Sequence, residues 1–269
     1  MREPERRRSF VRRFGVTLLA GIPGIVALVG YIYLTTPPSA VPAGLTLPLL
    51  AIVSGINPLV LLAVACLVGV VATPRTKLRS YLLERVSTGE RIWPQLRHEA
   101  KLATRIGLFG SIVILILDLL LAPFVGVDLP ASAIGEVRQS VFEVLAFAPV
   151  RFLYGGITEE LLLRFGLMSA LAVVGWYVTG RPSDGPDGKV MWPAIVISAV
   201  LFGVGHLPAL EQSVGLTPAL ITRTVLLNAI AGILLGWLYW QRSLEAAMIA
   251  HITFHIPLLA LSLVYVTIF

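Results

Sequence analysis

The chain is poor in charge. Only 13% of its 269 residues are Asp, Glu, Lys or Arg, while 57% are hydrophobic and the mean hydropathy is +0.86. A soluble domain has about 25% charged and 45–50% apolar residues, so a water-soluble globular protein is excluded and a polytopic membrane protein is indicated. Cysteine is nearly absent. The single Cys66 rules out an intramolecular disulfide and a thiolate metal cluster. Set in the run PLVLLAVACLVGVV, it reads as a small packing residue and carries no information on redox compartment. There is no fixed-period repeat and no low-complexity tract, so neither a solenoid nor an openly duplicated transporter is indicated.

What the sequence does have is long apolar runs. A helix needs about 20 apolar residues to cross a bilayer, and runs of that order lie at about 14–34, 45–72, 102–127, 136–178, 191–210, 216–240 and 243–269. The expected fold is therefore an all-α bundle of about seven spans. The first run follows an arginine-rich segment like that of a signal peptide, but its apolar core is too long and no clear cleavage motif follows, so it is expected to stay as an anchor. The run at 136–178 is too long for one straight helix. It is expected to be one span preceded by an amphipathic approach helix, broken near Pro149 or Gly155-Gly156.

The net charge of +6 comes from two clusters, Arg2, Arg6, Arg7, Arg8, Arg12 and Arg13 at the N-terminus and the basic residues from Arg75 to Arg105. Both flank apolar spans, which makes them topology signals with anionic lipid as a secondary contact, not a nucleic-acid surface. A cytoplasmic N-terminus then places 73–101, a partly helical loop near the headgroups, 179–189 and Arg242 on the cytoplasmic side. Residues 1–101 are expected to form anchor spans and the basic loop, and residues 102–269 the functional core. The expected setting is a cell membrane.

Ionisable groups inside such spans are costly, about 3 kcal/mol each at mid-membrane on insertion scales, yet several recur. In TEELLLRFG, Glu160 and Arg164 are four residues apart, about 40° around an α-helix, and can pair. Glu159, about 140° from Arg164 on α-helical geometry, is left without a local partner. An unpaired carboxylate suits a group that takes a proton from water and returns it, which makes Glu159 the candidate general base. The plainer reading of all three is an ion cluster tying two helices together.

His206 precedes Pro208 and follows Gly203 and Gly205, which allow close approach of another helix or a substrate. His251 and His255 lie four apart on one helical face. That spacing serves a pair of metal ligands, a pair of oxyanion donors, or two packing histidines bonded to other helices. Asp118, Glu143, Arg151, Arg223 and Asn228 could line a water path or contact substrate, with interhelical contacts the equal alternative. Arg138, Glu211, Arg242 and Glu245 lie near span ends and are expected at the interface.

Together these residues resemble the CPBP family of intramembrane proteases, which includes CAAX prenyl endopeptidases and bacteriocin-processing, Abi-like proteins. The family shows E-E-x-x-x-R, F-x-x-x-H and H-x-x-x-N or D in separate membrane helices. Glu159, Glu160 and Arg164, then Phe202 and His206, then His251 match these in order, and the resemblance covers about 136–258. His255 departs from the family, standing where Asn or Asp is usual.

The resemblance implies an endopeptidase acting on a membrane-anchored, CAAX-type or other membrane-associated peptide. Glu159 and His206 would activate water, Glu160 and Arg164 would hold the helix, and His251 with residue 255 would bind the oxyanion. A neutral His can donate one hydrogen bond as Asn does. Equally, Glu159, His206, His251 and His255 resemble a zinc site with a water position, and the choice between zinc and no cofactor stays open. The alternative function is a non-catalytic scaffold or immunity protein, or a proton-coupled transporter. The expected partners are lipids and the substrate, with no nucleic acid; oligomeric state is not legible.

Overall fold

The computed structural model describes residues 3–125 and 140–268, with the side chains of 3–6 and 212–214 aside. Its helices are α1 (Glu3–Thr35), α2 (Leu47–Thr76), α3 (Tyr81–Thr88), α4 (Trp93–Val125), α5 (Val141–Pro149), a π-helix (Val150–Met168), α6 (Ser169–Val178), α7 (Gly188–Gly205), α8 (Leu207–Val214), α9 (Pro218–Gln241) and α10 (Leu244–Ile268). Among the described residues there is no strand, and seven helical stretches are long and apolar enough to cross a membrane. The protein is an integral multi-pass helical bundle. Leu, Ile and Val side chains such as Leu19, Ile52, Leu120 and Val178 face outward, as they must where the surrounding medium is lipid.

Several boundaries differ from the expected ones. The stretch 73–101 is mostly helix, because α2 runs on through Pro74, α3 follows a Ser80 cap, and α4 begins at Trp93. The fourth span does not break at Gly155-Gly156. It runs without interruption from Val141 to Val178, and what changes after Pro149 is the winding, from α to π. Proline lacks an amide hydrogen and frees an upstream carbonyl, so a change in hydrogen-bond pattern next to it is a physical alternative to a kink. The expected turn with Asp128 and Pro130, the end of the third span at 126–127, the start of the approach helix and Arg138 lie outside the described residues.

The π-helix sits at the centre of the bundle, against α1, α2, α7 and α10. Thr158 Oγ1 donates to the Gly21 carbonyl of α1 at 2.8 Å. Phe165, Leu161 and Met168, all fully buried, join Leu62 and Cys66 of α2 in the main apolar core. Cys66 is thus a packing residue. A smaller core joins Ala103 of α4 to Leu235 and Leu238 of α9 and Ala246 and Ala250 of α10.

Asp118 and Arg223, expected either to line a water path or to bridge helices, do the latter. Arg223 Nε donates to Asp118 Oδ1 at 2.6 Å, joining α9 to α4. Asn228 donates to the Thr224 carbonyl of its own helix at 2.8 Å. Glu211 and Arg242 are exposed, as expected of interfacial residues, but Glu245 is not free at a surface. Its carboxylate accepts from Tyr81 N, Leu82 N and Ser80 Oγ, at 2.9, 2.9 and 2.8 Å. An acidic side chain of α10 thereby caps the N-terminus of α3, where unsatisfied amides favour an anion.

Candidate active site

The π-helix and α10 run past one another in a fixed register. Glu160 meets His251, Gly156 meets Ile252, Gly155 meets His255, and Arg151 meets Ser262. Two glycines make the approach possible: a Cβ on Gly156 would lie 3.3 Å from Ile252 Cα, and one on Gly155 would lie 2.9 Å from His255 Nε2. Alternating polar and small residues on facing helices let backbones come close while polar groups find partners across the seam.

Glu160 is fully buried and is held from both sides. Its Oε1 lies 3.1 Å from Arg164 Nη1 and 2.7 Å from His251 Nδ1. Arg164, 1% exposed, also donates through Nη2 to the Gly232 carbonyl of α9 at 3.2 Å and covers the Phe202 ring at 4.8 Å. A charge in the interior survives only when paired and hydrogen-bonded. The pairing predicted from the four-residue spacing is present. Gly232 is nine residues from the end of α9, about 14 Å along a helix and so near mid-span.

Glu159 is different. It is half-buried and makes no hydrogen bond or ion pair among the described residues. Its Oε2 would be 3.8 Å from a Cβ on Gly155, the same point that lies 2.9 Å from His255 Nε2, so the two side chains face one small space beside Gly155. The expectation of a carboxylate without a local partner holds. Glu159 is less buried than Glu160, which has no exposed surface.

Phe202 gathers the histidines. Its ring lies edge-to-face with His206 at 4.7 Å and with His251 at 6.0 Å, and His251 stacks on His255 at 5.0 Å between centroids with 26° between planes. The sequence marked Phe202 only as a motif position; its role as a shared wall was not visible, since nothing in spacing tells which rings will touch. His206 caps α7, where Gly203 lets α9 approach: a Cβ there would lie 2.7 Å from the Val225 carbonyl oxygen. Gly205 has open space instead, so only the first of the two glycines serves close packing.

The acceptors fix two tautomers. His206 Nδ1 lies 2.8 Å from the Phe202 carbonyl and His251 Nδ1 lies 2.7 Å from a carboxylate, so each Nδ1 carries the proton. The neutral rings then present Nε2 as an acceptor. His255 makes no hydrogen bond among the described residues, and its Nδ1 is buried without a partner. It can present a donor from either nitrogen.

Among the described residues, no three His, Cys, Asp or Glu side chains converge as a metal-binding group. The set Glu159, His206, His251 and His255, considered above as zinc ligands, therefore does not form a closed ligand sphere.

Residues 141–256 match the family model of type II CAAX prenyl endopeptidase Rce1-like proteins. The matched stretch contains all three motifs on which the resemblance was drawn, and His255 as well. No curated protein and no solved structure matches the chain.

Proposed function

We propose that this membrane protein, whose later spans carry the Rce1-like match, is an intramembrane endopeptidase hydrolysing a peptide bond of a membrane-associated substrate. The observation that carries the reading is the contrast between adjacent carboxylates. Glu160 is neutralised by Arg164 and His251, while Glu159 has no partner among the described residues, is only partly buried and faces the same space beside Gly155 as His255. A purely structural ion cluster would not leave one of its acids unused.

In this reading Glu159 takes a proton from a water whose other hydrogen is accepted by His206 Nε2. The water oxygen attacks the scissile carbonyl, the carbonyl π-bond becomes the oxyanion, and Glu159 returns the proton to the leaving amine as the C–N bond breaks. His255 donates to the oxyanion. His251 Nε2 joins it only when that ring carries both protons, because its single proton in the neutral form belongs to Nδ1. Glu160 and Arg164 hold His251 and the π-helix in place. Histidine in place of the family's Asn or Asp at 255 keeps a donor at the required point.

The prenylated C-terminal peptide in the family's name is the substrate class to test first, with the N-terminus and the basic loops on the cytoplasmic side. The test is cleavage of a panel of lipidated and unlipidated membrane-anchored peptides by detergent-purified protein, with Glu159→Ala alongside and a chelator arm. Cleavage by the wild type that is lost in Glu159→Ala, with or without chelator, is the expected result. Equal cleavage by both proteins would overturn the assignment of the base, and cleavage abolished by chelation and restored by zinc would overturn the metal-free route.

A further inference from the structure

Glu159 stands between two neighbours that are each tied to a different helix. On one side Glu160 is held to α10, through His251 Nδ1 at 2.7 Å. On the other, Thr158 is fully buried and its Oγ1 donates to the Gly21 carbonyl of α1 at 2.8 Å. The Leu153 carbonyl of its own helix lies farther from the same hydroxyl, at 3.3 Å. A threonine has one hydroxyl hydrogen to give, so the shorter contact, to α1, takes it.

The α1 side of this joint is shaped for close approach. α1 packs on the π-helix at Gly24, where a Cβ would stand 2.7 Å from both the Leu153 carbonyl oxygen and Tyr154 Cα, and nearer still to Thr158 Oγ1. Any side chain there would have to displace backbone. Gly30 of the same helix has open space instead. In the sequence α1 reads as an anchor, and it lies outside the matched stretch 141–256. Yet it grips the residue next to the proposed base. The direction in which a side chain leaves a helix is set by its own backbone, and a backbone pinned at both neighbouring residues keeps that direction fixed.

We propose that Thr158 is a positioning residue for Glu159, and that α1, through Gly21 and Gly24, is thereby part of the active-site scaffold as well as an anchor. The inference rests on the endopeptidase reading. Its working part is a hydroxyl that reaches α1, so serine should serve in place of threonine and the isosteric valine should not.

The test is steady-state cleavage of a reporter that the wild type cleaves, by detergent-purified Thr158→Ser, Thr158→Val and Thr158→Ala, each at a temperature well below its own melting temperature. Gly24→Ala, Gly30→Ala and Glu159→Ala are run alongside. The expected result is a kcat within about threefold of wild type for Thr158→Ser and lowered about tenfold or more for Thr158→Val and Thr158→Ala, with KM changed less than about twofold. Displacing a reacting group by about 1 Å can cost about a hundredfold, so a smaller shift of Glu159 suffices for this loss. Gly24→Ala, which presses on the same joint from α1, should lower kcat likewise, and Gly30→Ala should not. A threonine that only packs would show a lowered melting temperature with wild-type kcat in Thr158→Val. That result, Thr158→Ser impaired as much as Thr158→Val, or equal kcat in the two glycine variants, would overturn the inference and leave the endopeptidase reading standing. Wild-type cleavage by Glu159→Ala would overturn both. If Thr158→Val fails to fold, Thr158→Ala, whose smaller side chain puts no strain on the joint, decides against Thr158→Ser.

Discussion

Oε1 of Glu160 lies 2.7 Å from Nδ1 of His251, and this contact joins the π-helix to α10 at about the middle of the bundle. The same oxygen takes Arg164 at 3.1 Å, so one carboxylate holds an arginine of its own helix and a histidine of another. Among the described residues the neighbouring Glu159 makes no hydrogen bond or ion pair. Two adjacent acids with different surroundings should fail differently when altered.

Glu160→Gln removes the counter-charge of Arg164 and leaves a buried guanidinium uncompensated, a loss of about 3–5 kcal/mol. Its melting temperature in detergent should fall steeply. Glu159→Gln should melt with the wild type while losing cleavage. Equal stability losses in the two variants would mean that Glu159 is also structural.

Gly155→Ala should impair the site without disturbing the fold far away. Its Cβ would press on His255 Nε2 at 2.9 Å, a distance that side-chain carbons do not keep without movement of the ring. Displacing a reacting group by about 1 Å can reduce rate by about a hundredfold. Gly205→Ala, where the structure leaves open space, is the matched control and should keep its cleavage rate. Parallel rate measurements on the two proteins check this.

Asp118→Asn should destabilise the bundle, because it removes the negative charge that faces the buried Arg223, whose Nε approaches Asp118 Oδ1 at 2.6 Å. A loss of about 3–5 kcal/mol is the range for breaking a buried pair, and Asp118→Leu with Arg223→Met should recover much of it. Thermal melts of the single and double variants show whether this pair is structural. A double variant no more stable than Asp118→Asn would speak against that.

Tyr81 gives a prediction in pH. Its hydroxyl donates to Glu99 at 2.9 Å, and burial together with this carboxylate pushes the phenol from 10.0 up to about 12. Because the folded value is the higher one, the stability it contributes is complete below pH 10 and is lost as pH rises towards 12. Tyr81→Phe should melt about 1 kcal/mol lower at neutral pH and show a shallower loss above pH 10 than the wild type. Identical alkaline slopes for the two proteins would remove Tyr81 from that transition.

Much of the bundle could be read from the chain because bilayer thickness sets the length of apolar runs, and seven such runs are plain in the sequence. The Glu160–Arg164 pair was likewise legible from a four-residue spacing. The π-winding of Val150–Met168 was not, since no periodic signal in the sequence marks a change from α to π. Angles computed for an α-helix therefore gave the right partner for Arg164 while misdescribing the geometry of the helix that carries it. The partners of Glu245 were not legible for a related reason: the amides of Tyr81 and Leu82 are more than 160 residues away and carry no side-chain signature of an anion site.

The central claim is that Glu159 activates a water that enters the product. The most direct measurement is mass spectrometry of a reporter peptide cleaved in 18O-labelled water by the purified wild type and by Glu159→Gln, both shown to be folded by their melts. The account predicts one labelled oxygen in the new carboxyl terminus for the wild type and no product for the variant. Cleavage by Glu159→Gln at the wild-type rate, or a product carboxyl without label, would contradict it.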